Sequence, residues 1–437
     1  MFKTLINAFK IEQLRKRMFY TFWILLVVRL GCQLPIPGID VAQVQKYLQS
    51  VVGSSYSFID SFTGGSFLSM SVFALSVTPY ITASIIMQLL TIAIPALEEM
   101  QRDGEDGRKK MNQITRYVSV GLAIIESAGL SIGFSRQGAL QDKSVFTILT
   151  IIVTLTAGSC IIMWLGERIS DKGIGNGISI ILLINIVSRM PNDFSNLYIM
   201  FVKGKDIVQA IVAVCIIVAV VIGTTIFVII LQDAERRIPV QYSKKVQGRK
   251  MAGGQSSYIP LKVNTAGVIP IIFASSLLSV PSIVINLFNM NVGTTAQKIM
   301  QGMNQNYWFN AEYPWASVGL IVYILLNIIF AYFYTSITFN PIEVANNMKK
   351  SGGFIPGIRP GKTTQDYLNK ILNYIVLIGV IGLLIVALIP IFFNGAFKAD
   401  VSFGGTSLII IVGVILETMK QLESQMLVRN YSGFLNN

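Results

Sequence analysis

The sequence contains no histidine among its 437 residues. Histidine is the usual general base near neutral pH, a frequent proton carrier and the commonest metal ligand. A serine–histidine hydrolase and a histidine-ligated metal site are therefore excluded. The three cysteines, Cys32, Cys160 and Cys215, each lie inside an apolar run, and none forms a CxxC pair. We interpret them as small buried side chains, not as a disulfide framework or a zinc site.

Charge is also scarce, because Asp, Glu, Lys and Arg make up only 13% of the residues while 53% are hydrophobic. Soluble domains are about one quarter charged. Apolar runs recur along the whole chain at about 20 residues, the length at which a helix crosses the hydrocarbon of a bilayer. These runs are too long and too continuous for the strands of a membrane barrel. The sequence therefore predicts an all-α polytopic membrane protein.

Ten membrane spans are predicted, and the loops between them differ in charge. The predicted spans are 18–36, 72–92, 114–134, 145–166, 174–190, 207–231, 264–287, 315–339, 371–391 and 404–423. Most of the 35 Lys and Arg residues fall before the first span, after the last one and in every second loop. Since positively charged loops stay in the cytosol, both termini are predicted to be cytosolic. The basic residues near the N-terminus suit a cytosolic amphipathic stretch better than a cleavable signal peptide.

Two predicted cytosolic loops, 232–263 and 340–370, carry much of the net charge of +13. Membrane topology alone explains positive loops of this kind. A docking surface for an acidic or phosphate-bearing partner is the alternative. Arg359 favours the second explanation, because it stands between Gly357-Ile358 and Pro360-Gly361 at a rigid tip.

Ionisable residues at membrane depth are few. Arg29 lies in the first predicted span and Glu126 in the third, and both are interpreted as contacts between helices. No GxxxxGK[ST] loop is present. The glycines of "KGIGNGISI" (172–180) lead into an apolar run, so a close-packed or broken helix start is expected there instead of a nucleotide loop.

The stretch from Ser61 to Leu90 has two unlike halves. Its first half, to about Ser71, is rich in Ser and Gly and unsuited to spanning a membrane. Its second half is apolar and contains Pro79, which predicts a kink because proline cannot donate to the carbonyl of Leu75.

Aliphatic residues recur beside such helix breaks. Val77 and Ile81 flank Pro79, Ile178 and Leu182 follow the glycine-rich stretch, Ile272 follows Pro270, and Ile410 follows "FGGTS". Each pair at i,i+4 shares a helix face. Each of these residues taken singly is also consistent with an ordinary apolar core, and spacing alone does not show that the six converge.

Several stretches together resemble one known family. They are "PIPGID" (35–40), "FALSVTPYITASIIMQLL" (73–90), "MWLGERISDKGIGNGISI" (163–180), "GVIPIIFASS" (267–276), "FNPIEVANNMKKSGGFIPGIRPG" (339–361) and "FGGTSLII" (403–410). In this order, and over essentially the whole chain, they resemble the SecY family of bacterial protein-conducting channels.

The resemblance implies two five-helix halves that form a clamshell around an hourglass pore. The halves are 1–190, with a plug at 61–71, and 207–437, with the loop 191–206 as a hinge. By eye the two halves show no convincing sequence repeat.

The resemblance also implies functional residues at matching positions. The pore ring comprises Val77, Ile81, Ile178, Leu182, Ile272 and Ile410. The plug, a short helix folded back into the pore, includes Phe62, Gly64, Gly65, Ser66, Phe67 and Leu68. Gln88 and Asn264 match polar positions of the lateral gate and are expected to bridge it. Arg249, Lys250 and Arg359 match positions at which a motor or a ribosome docks.

The expected partners are the small membrane subunits SecE and SecG, the SecA ATPase motor, the ribosome, signal sequences, preproteins and lipid. The expected location is the bacterial cytoplasmic membrane, with no cofactor and no enzymatic activity. A secondary transporter of small solutes is the alternative, because it also uses broken helices, but it requires a midplane ion or substrate site. A membrane enzyme is a third possibility, but the sequence lacks histidine, a metal-binding constellation and a nucleotide motif.

Overall fold

The long apolar runs form helices that pack into a bundle. The computed structural model describes residues 2–51, 60, 62–136, 138–140, 142, 144–242, 245–247, 250–252, 256–275, 277–278, 302–303, 308, 315, 317–397 and 406–435. The N-terminal helices are α1 (Phe2–Lys10), α2 (Glu12–Gly31), α3 (Val41–Val51), α4 (Thr78–Ala93), α5 (Pro95–Arg102), α6 (Gly104–Arg136), α7 (Val145–Lys172) and α8 (Gly177–Phe201). The C-terminal helices are α9 (Ile207–Asp233), α10 (Ser317–Thr338), α11 (Pro341–Lys350), α12 (Lys362–Phe397) and α13 (Thr406–Leu435). Residues 269–275 form a further helical stretch.

Several helices begin at a side chain that caps their free N–H groups. The Ser144 hydroxyl accepts from the Phe146 N–H at the start of α7. Asn340 caps α11 in the same way, accepting from Ile342 and Glu343. Such residues satisfy the orphan donors of the first helical turn. The loop residues that precede the apolar runs therefore fix where these helices start.

The described helices agree with the predicted membrane spans in part. Among the described residues, α6, α7, α9, α10 continued by α11, and α12 are each long and apolar enough to cross a bilayer. Helices α4 and α5 reach that length only together, and they bend by 109° at their junction. The all-α polytopic class is confirmed, while the number of ten spans stays a prediction.

The predicted hinge loop 191–206 is mostly helical. Helix α8 continues through Pro191 to Phe201, and only residues 202–206 separate it from α9. Pro191 lies well inside α8, where it removes one backbone donor without ending the helix. The connection is therefore shorter than the sequence suggested, while the division into two halves stays a prediction.

The first basic loop contains strands that the sequence analysis did not predict. They are β1 (Glu235–Tyr242), β2 (Lys245–Gln247), β3 (Lys250–Ala252) and β4 (Ser256–Lys262). β1 and β4 pair antiparallel with Ile238 opposite Ile259. β5 (Gly353–Phe354) comes from the second basic loop and pairs antiparallel with the other side of β1. The two basic loops therefore share one three-stranded sheet, while β2 and β3 of the first loop pair with each other in a second sheet.

The helices pack around separate apolar clusters. In the N-terminal part α6 packs against α4 and α7, and α7 against α8. In the C-terminal part α9 packs against α13 and α10 against α12. Contacts of α8 with α9 and α13 join the two parts. These contacts place the starts of α4, α8 and α13 beside one another in one cluster.

The expectation for the cysteines is correct only in part. Cys32 is buried, Cys160 is half-buried and Cys215 is exposed on α9. Much of α9 is apolar and exposed, including Ile207 and Ile211, as expected of a helix that faces lipid. Cys215 belongs to this lipid-facing surface, because apolar residues carry no requirement for burial in protein when the solvent is hydrocarbon.

Candidate functional site

The six aliphatic residues predicted to form a ring converge in one apolar cluster. Val77, Leu182 and Ile410 are among its buried members. Ile81, Ile178 and Ile272 are half-buried and pack against them. Val77 immediately precedes α4, and the other five residues lie within the first two turns of α4, α8, the helical stretch 269–275 and α13. The structure therefore brings together residues that are up to several hundred positions apart in sequence.

The first ring segment is not kinked at Pro79, contrary to the sequence prediction. Helix α4 begins at Thr78, so Pro79 occupies its first turn, where the missing N–H costs nothing. Val77 is the residue that precedes the helix, and its carbonyl accepts from the Ile81 N–H at 3.0 Å. The proline therefore lies in the first turn of α4, and no proline-induced kink is present between Val77 and Ile81.

The glycine-rich start of α8 is close-packed, as the sequence predicted. A Cβ atom at Gly177 would lie 1.8 Å from the carbonyl oxygen of Gly166 on α7. Asn176 caps the helix by accepting from the N–H groups of Ile178 and Ser179. The glycine permits the close approach of α7 and α8, and the cap fixes the first turn that carries Ile178.

The plug segment, residues 61–71, contains little helix. Phe62 and Thr63 are helical, and residues 64–70 form consecutive turns. Gly64 and Gly65 have φ angles of +69° and +87°, in the left-handed region that glycine adopts most readily. Ser61 lies outside the described residues. The expected short plug helix is therefore wrong for residues 64–70.

Serine and threonine hydroxyls satisfy the turns of the plug segment. The Ser66 hydroxyl donates to the Thr63 carbonyl at 2.6 Å and also lies 3.1 Å from the Phe73 carbonyl. The Ser69 hydroxyl donates to the Gly65 carbonyl at 2.9 Å. Short hydroxyl side chains can replace backbone partners in this way. The Ser/Gly composition therefore builds a compact and largely buried segment from turns.

The "PIPGID" stretch holds the C-terminal end of the plug segment. Pro35 and Ser71 form an isolated antiparallel bridge. The Ile36 N–H donates to the Met70 carbonyl at 3.0 Å, and the Val72 N–H donates to the Leu34 carbonyl at 2.9 Å. The chain that follows α2 thus pairs with the chain that enters α4.

The plug segment lies against the ring. Phe62 is buried in the same cluster as Val77, Leu182 and Ile410. Phe67 is buried in a second cluster, with Leu130 and other residues of the N-terminal part. The segment therefore contacts the ring at one end and the surrounding helices at the other.

A seam between the two parts of the chain lies beside α4. Gln88 is half-buried and lines a small apolar cavity in this seam. The cavity is also lined by Ile85, Leu89, Ile269, Pro270, Phe273, Phe330, Phe333, Tyr334 and Ile337. The Phe273 and Phe330 rings, both on the C-terminal side of the seam, contact each other at a tilt of 37° with centroids 4.9 Å apart. The seam is thus lined mainly by apolar and aromatic side chains.

The expected bridge between Gln88 and Asn264 is wrong for this structure. Asn264 is buried, and neither polar atom of its side chain has a hydrogen-bond partner in the described part of the chain. A buried amide without partners is destabilising. The seam is therefore not held by an amide pair in this conformation.

The basic residues predicted for docking lie on or near the sheet. Arg359 is exposed in the loop after β5, and the Thr364 hydroxyl donates to its carbonyl at 2.9 Å. Lys250 begins β3, and Arg249 lies outside the described residues. On β1, Arg237 pairs with Glu235 at 2.6 Å, and this hydrogen bond raises the pKa of Arg237. The basic residues exposed on the sheet, Arg236, Arg237 and Lys262, all come from the first loop, and Arg359 lies in the loop that follows β5.

Two wall residues near the plug were missed by the sequence analysis. Asn185 and Arg189 follow Ile178 and Leu182 on one face of α8, at the i, i+4, i+7 and i+11 positions of a helical stripe. Asn185 is fully buried. The sequence did contain a signal for them, because Asn185 and Arg189 continue the helical face that carries Ile178 and Leu182.

Comparisons with known proteins agree with this arrangement. The family model described as SecY matches residues 71–419. The protein translocase subunit SecY of Streptomyces coelicolor is 44% identical, over 98% of each chain. That of Mycobacterium tuberculosis strain H37Rv is 41% identical over the full length of both chains. The solved structure of a protein conducting channel matches with a TM-score of 0.62 at 18% identity, covering 94% of this chain and 93% of that one.

The fold is therefore that of a polytopic membrane channel. The chain belongs to the SecY family.

Proposed function

We infer that this chain is the pore subunit of a protein-conducting channel that passes unfolded preproteins across the cytoplasmic membrane. The observation that carries this inference is the convergence of six aliphatic side chains in one cluster, with Phe62 of the plug segment packed against them. Its full-length relatives are protein translocase subunits. The apolar cluster, the plug segment packed against it and the family membership all support the same function.

The ring is suited to a translocating chain of any sequence. Its members are aliphatic and offer no side-chain hydrogen bond. A narrow apolar constriction resists wetting and therefore blocks ions while a polypeptide slides past. The ring thus explains both the seal and the lack of sequence preference in the pore.

The seam beside α4 is the proposed lateral gate. It is lined mainly by apolar and aromatic side chains, including Phe273 and Phe330. An apolar segment that enters the seam gains about 0.5 kcal/mol per leucine on moving into lipid, whereas a central Asp or Lys costs about 3 kcal/mol. The gate therefore releases segments sideways according to their hydrophobicity.

The cytosolic sheet is the proposed docking surface. β1 and β4 of the first loop carry the basic residues Arg236, Arg237 and Lys262, β5 of the second loop pairs with β1, and Arg359 is exposed in the loop after β5. An acidic motor surface or ribosomal RNA suits such a surface electrostatically. We assign SecA and the ribosome as its partners, with Arg249, Lys250 and Arg359 as contacts. One solved structure of similar fold is Sec61 in a canine ribosome–channel complex.

The remaining assignments follow from the family. SecE and SecG complete the channel, both termini are cytosolic, and residues 1–190 and 207–437 form two halves. The halves are joined through 191–206, in which α8 continues to Phe201 and residues 202–206 lead into α9. The contacts of α8 with α9 and α13 support a joint at this point. The channel acts passively, since its partners supply the energy.

The alternative, a secondary transporter, requires an ionisable site around a midplane substrate. The intramembrane cation Arg29 instead donates to the carbonyl of Gly64 in the plug segment. Arg29 therefore contacts the plug segment, and this contact does not favour a solute-binding site.

Site-specific crosslinking of a stalled precursor tests the proposed pore. A photo-crosslinking residue at Ile81, Ile178 or Ile272 is expected to capture the precursor. The same residue at Ile211, exposed on α9, is the control and should capture lipid only. Capture at Ile211 without capture at the ring positions would contradict the proposal.

A further inference from the structure

The plug segment is joined to the surrounding helices by polar contacts as well as by apolar packing. These contacts come from α2 and α8. We propose that Arg29, Asn185 and Arg189 are positioning residues that latch the plug segment in the closed pore, Arg189 through an ion pair with Asp60 and the other two through hydrogen bonds. This proposal rests on the proposed function, because it assumes that residues 61–71 are the stopper.

The ion pair joins α8 to the residue immediately before the plug segment. The Arg189 Nη1 atom lies 2.7 Å from Asp60 Oδ2, and the Asp60 side chain is fully buried. The other carboxylate oxygen of Asp60 accepts from the Leu68 N–H at 2.9 Å. Asp60 Oδ1 thus binds the turns of the plug segment, and Asp60 Oδ2 joins these turns to α8. A buried charge that loses its partner is strongly destabilising, so the closed position depends on this pair.

Asn185 makes a second contact, one turn earlier on the same face of α8. Its Nδ2 atom donates to the Phe62 carbonyl at 3.1 Å and to the Ser76 hydroxyl at 3.1 Å. Ser76 immediately precedes Val77 and the gate helix α4. Asn185 therefore links the plug segment to the start of the helix that lines the seam. A displacement of α4 at the gate would pull on the same amide that holds the plug.

Arg29 makes the third contact from α2. Its Nη1 atom donates to the Gly64 carbonyl at 3.2 Å and lies 3.5 Å from Asn185 Oδ1. A Cβ atom at Gly64 would lie 2.5 Å from Arg29 Nη1 and 2.9 Å from Asn185 Cα. The guanidinium and the amide thus fit closely around a glycine. This fit explains an intramembrane arginine for which the sequence offered no partner.

The three positioning residues belong to the predicted N-terminal half. Separation of the two halves therefore leaves these contacts intact. The plug segment leaves the pore only when α2, α8 or the start of α4 shifts, or when a translocating chain competes for its place. The latch makes plug release a separate step from parting of the halves.

Ion conductance of the reconstituted channel, with its partner subunits, tests the latch. Arg189→Gln is expected to raise the basal conductance about tenfold or more, because it leaves Asp60 buried without its cation. Arg189→Lys keeps the charge and should restore most of the seal. Lys205→Gln removes an exposed cation from the connection between α8 and α9 and should leave the conductance unchanged.

A second readout separates release of the plug from a general loss of folding. In a channel whose cysteines are replaced, Ser66→Cys reports on access to the buried plug segment. A membrane-impermeant thiol reagent should label it faster when Arg189→Gln is present, at equal yield of purified complex. Unchanged labelling in that variant would overturn the latch.

Deletion of residues 61–69 distinguishes failure of the latch from failure of the proposed function. In the deleted channel, Arg189→Gln should add no further conductance, because Asp60 remains but no plug segment is left for the Asp60–Arg189 pair to hold. If the deletion alone leaves conductance unchanged, the plug and pore assignments fail. If the deletion raises conductance while Arg189→Gln and Asn185→Ala in the full chain do not, only the latch fails.

Discussion

The plug segment and the ring lie against each other, yet different forces hold them. Ring residues such as Val77, Leu182 and Ile410 contact one another through aliphatic surface alone. The plug segment is held by polar contacts as well, among them the Asp60–Arg189 ion pair and the hydrogen bond from Asn185 to the Phe62 carbonyl. Apolar contacts tolerate sliding, whereas charged and hydrogen-bonded contacts have defined geometries. A pore that must accept any sequence uses the first kind, and a stopper with one closed position uses the second.

The largest effect on the seal is expected from removal of the plug segment. Deletion of residues 61–69 leaves the ring as the only barrier, so ion conductance of the reconstituted channel is expected to rise well over tenfold. A stalled precursor that fills the pore should abolish most of the added current. Current that persists with the precursor in place would show that the leak runs elsewhere.

The next largest effect is expected from hydration of the ring. Ile81→Ser together with Ile272→Ser places hydroxyls in the constriction and lowers the barrier to wetting. Conductance should rise several-fold, less than after the deletion, because the plug segment remains. Ile81→Val with Ile272→Val keeps the ring apolar and is the matched control. Equal conductance of the serine and valine variants would contradict an apolar seal.

A smaller effect is expected from Gly64→Ala. Left-handed backbone costs a non-glycine residue roughly 1–2 kcal/mol, and the new methyl group would meet Arg29 Nη1 at 2.5 Å. The closed population should fall by about tenfold, which single-channel recording would show as longer openings. Gly138→Ala has similar strain at φ +74° but no atom within 4 Å, so it should leave the openings unchanged.

The smallest effect on the seal is expected from the cytosolic sheet. Arg359→Glu reverses a charge far from plug and ring, so conductance should stay at the wild-type level while motor-driven export falls several-fold. Lys172→Glu, at the end of α7, is the control for a general change of surface charge. Normal export by Arg359→Glu in proteoliposomes would remove Arg359 from the docking surface.

Particular residues show how far the sequence could predict this site. The six residues expected in the ring were singled out because aliphatic residues recurred beside helix breaks and matched a family pattern. They share one apolar cluster, while their role in a pore stays a prediction. The kink at Pro79 was wrong because the helix begins at Thr78. A proline in an apolar run has the same local signature whether it starts a helix or bends one, and only the neighbouring turns decide between them.

Other errors arose where contacts depend on distant segments. The amide bridge from Gln88 to Asn264 is absent, and the turns of residues 64–70 replaced an expected helix. The sheet was missed because its strands are far apart in sequence. β4 pairs with β1 across a long connection, and β5 comes from another loop. Pairing between segments leaves little trace in the periodicity of either segment.

The sequence by itself determined the membrane class, the asymmetry of the basic loops and the aliphatic character of the ring, because these depend on composition and on spacing along one helix. The tertiary structure alone decided how the stopper is held. Asn185 meets the Phe62 carbonyl across 123 positions, and Arg29 meets the Gly64 carbonyl across 35. Both acceptors are backbone carbonyls, which every residue possesses, so no side-chain pattern could reveal them before the chain folded.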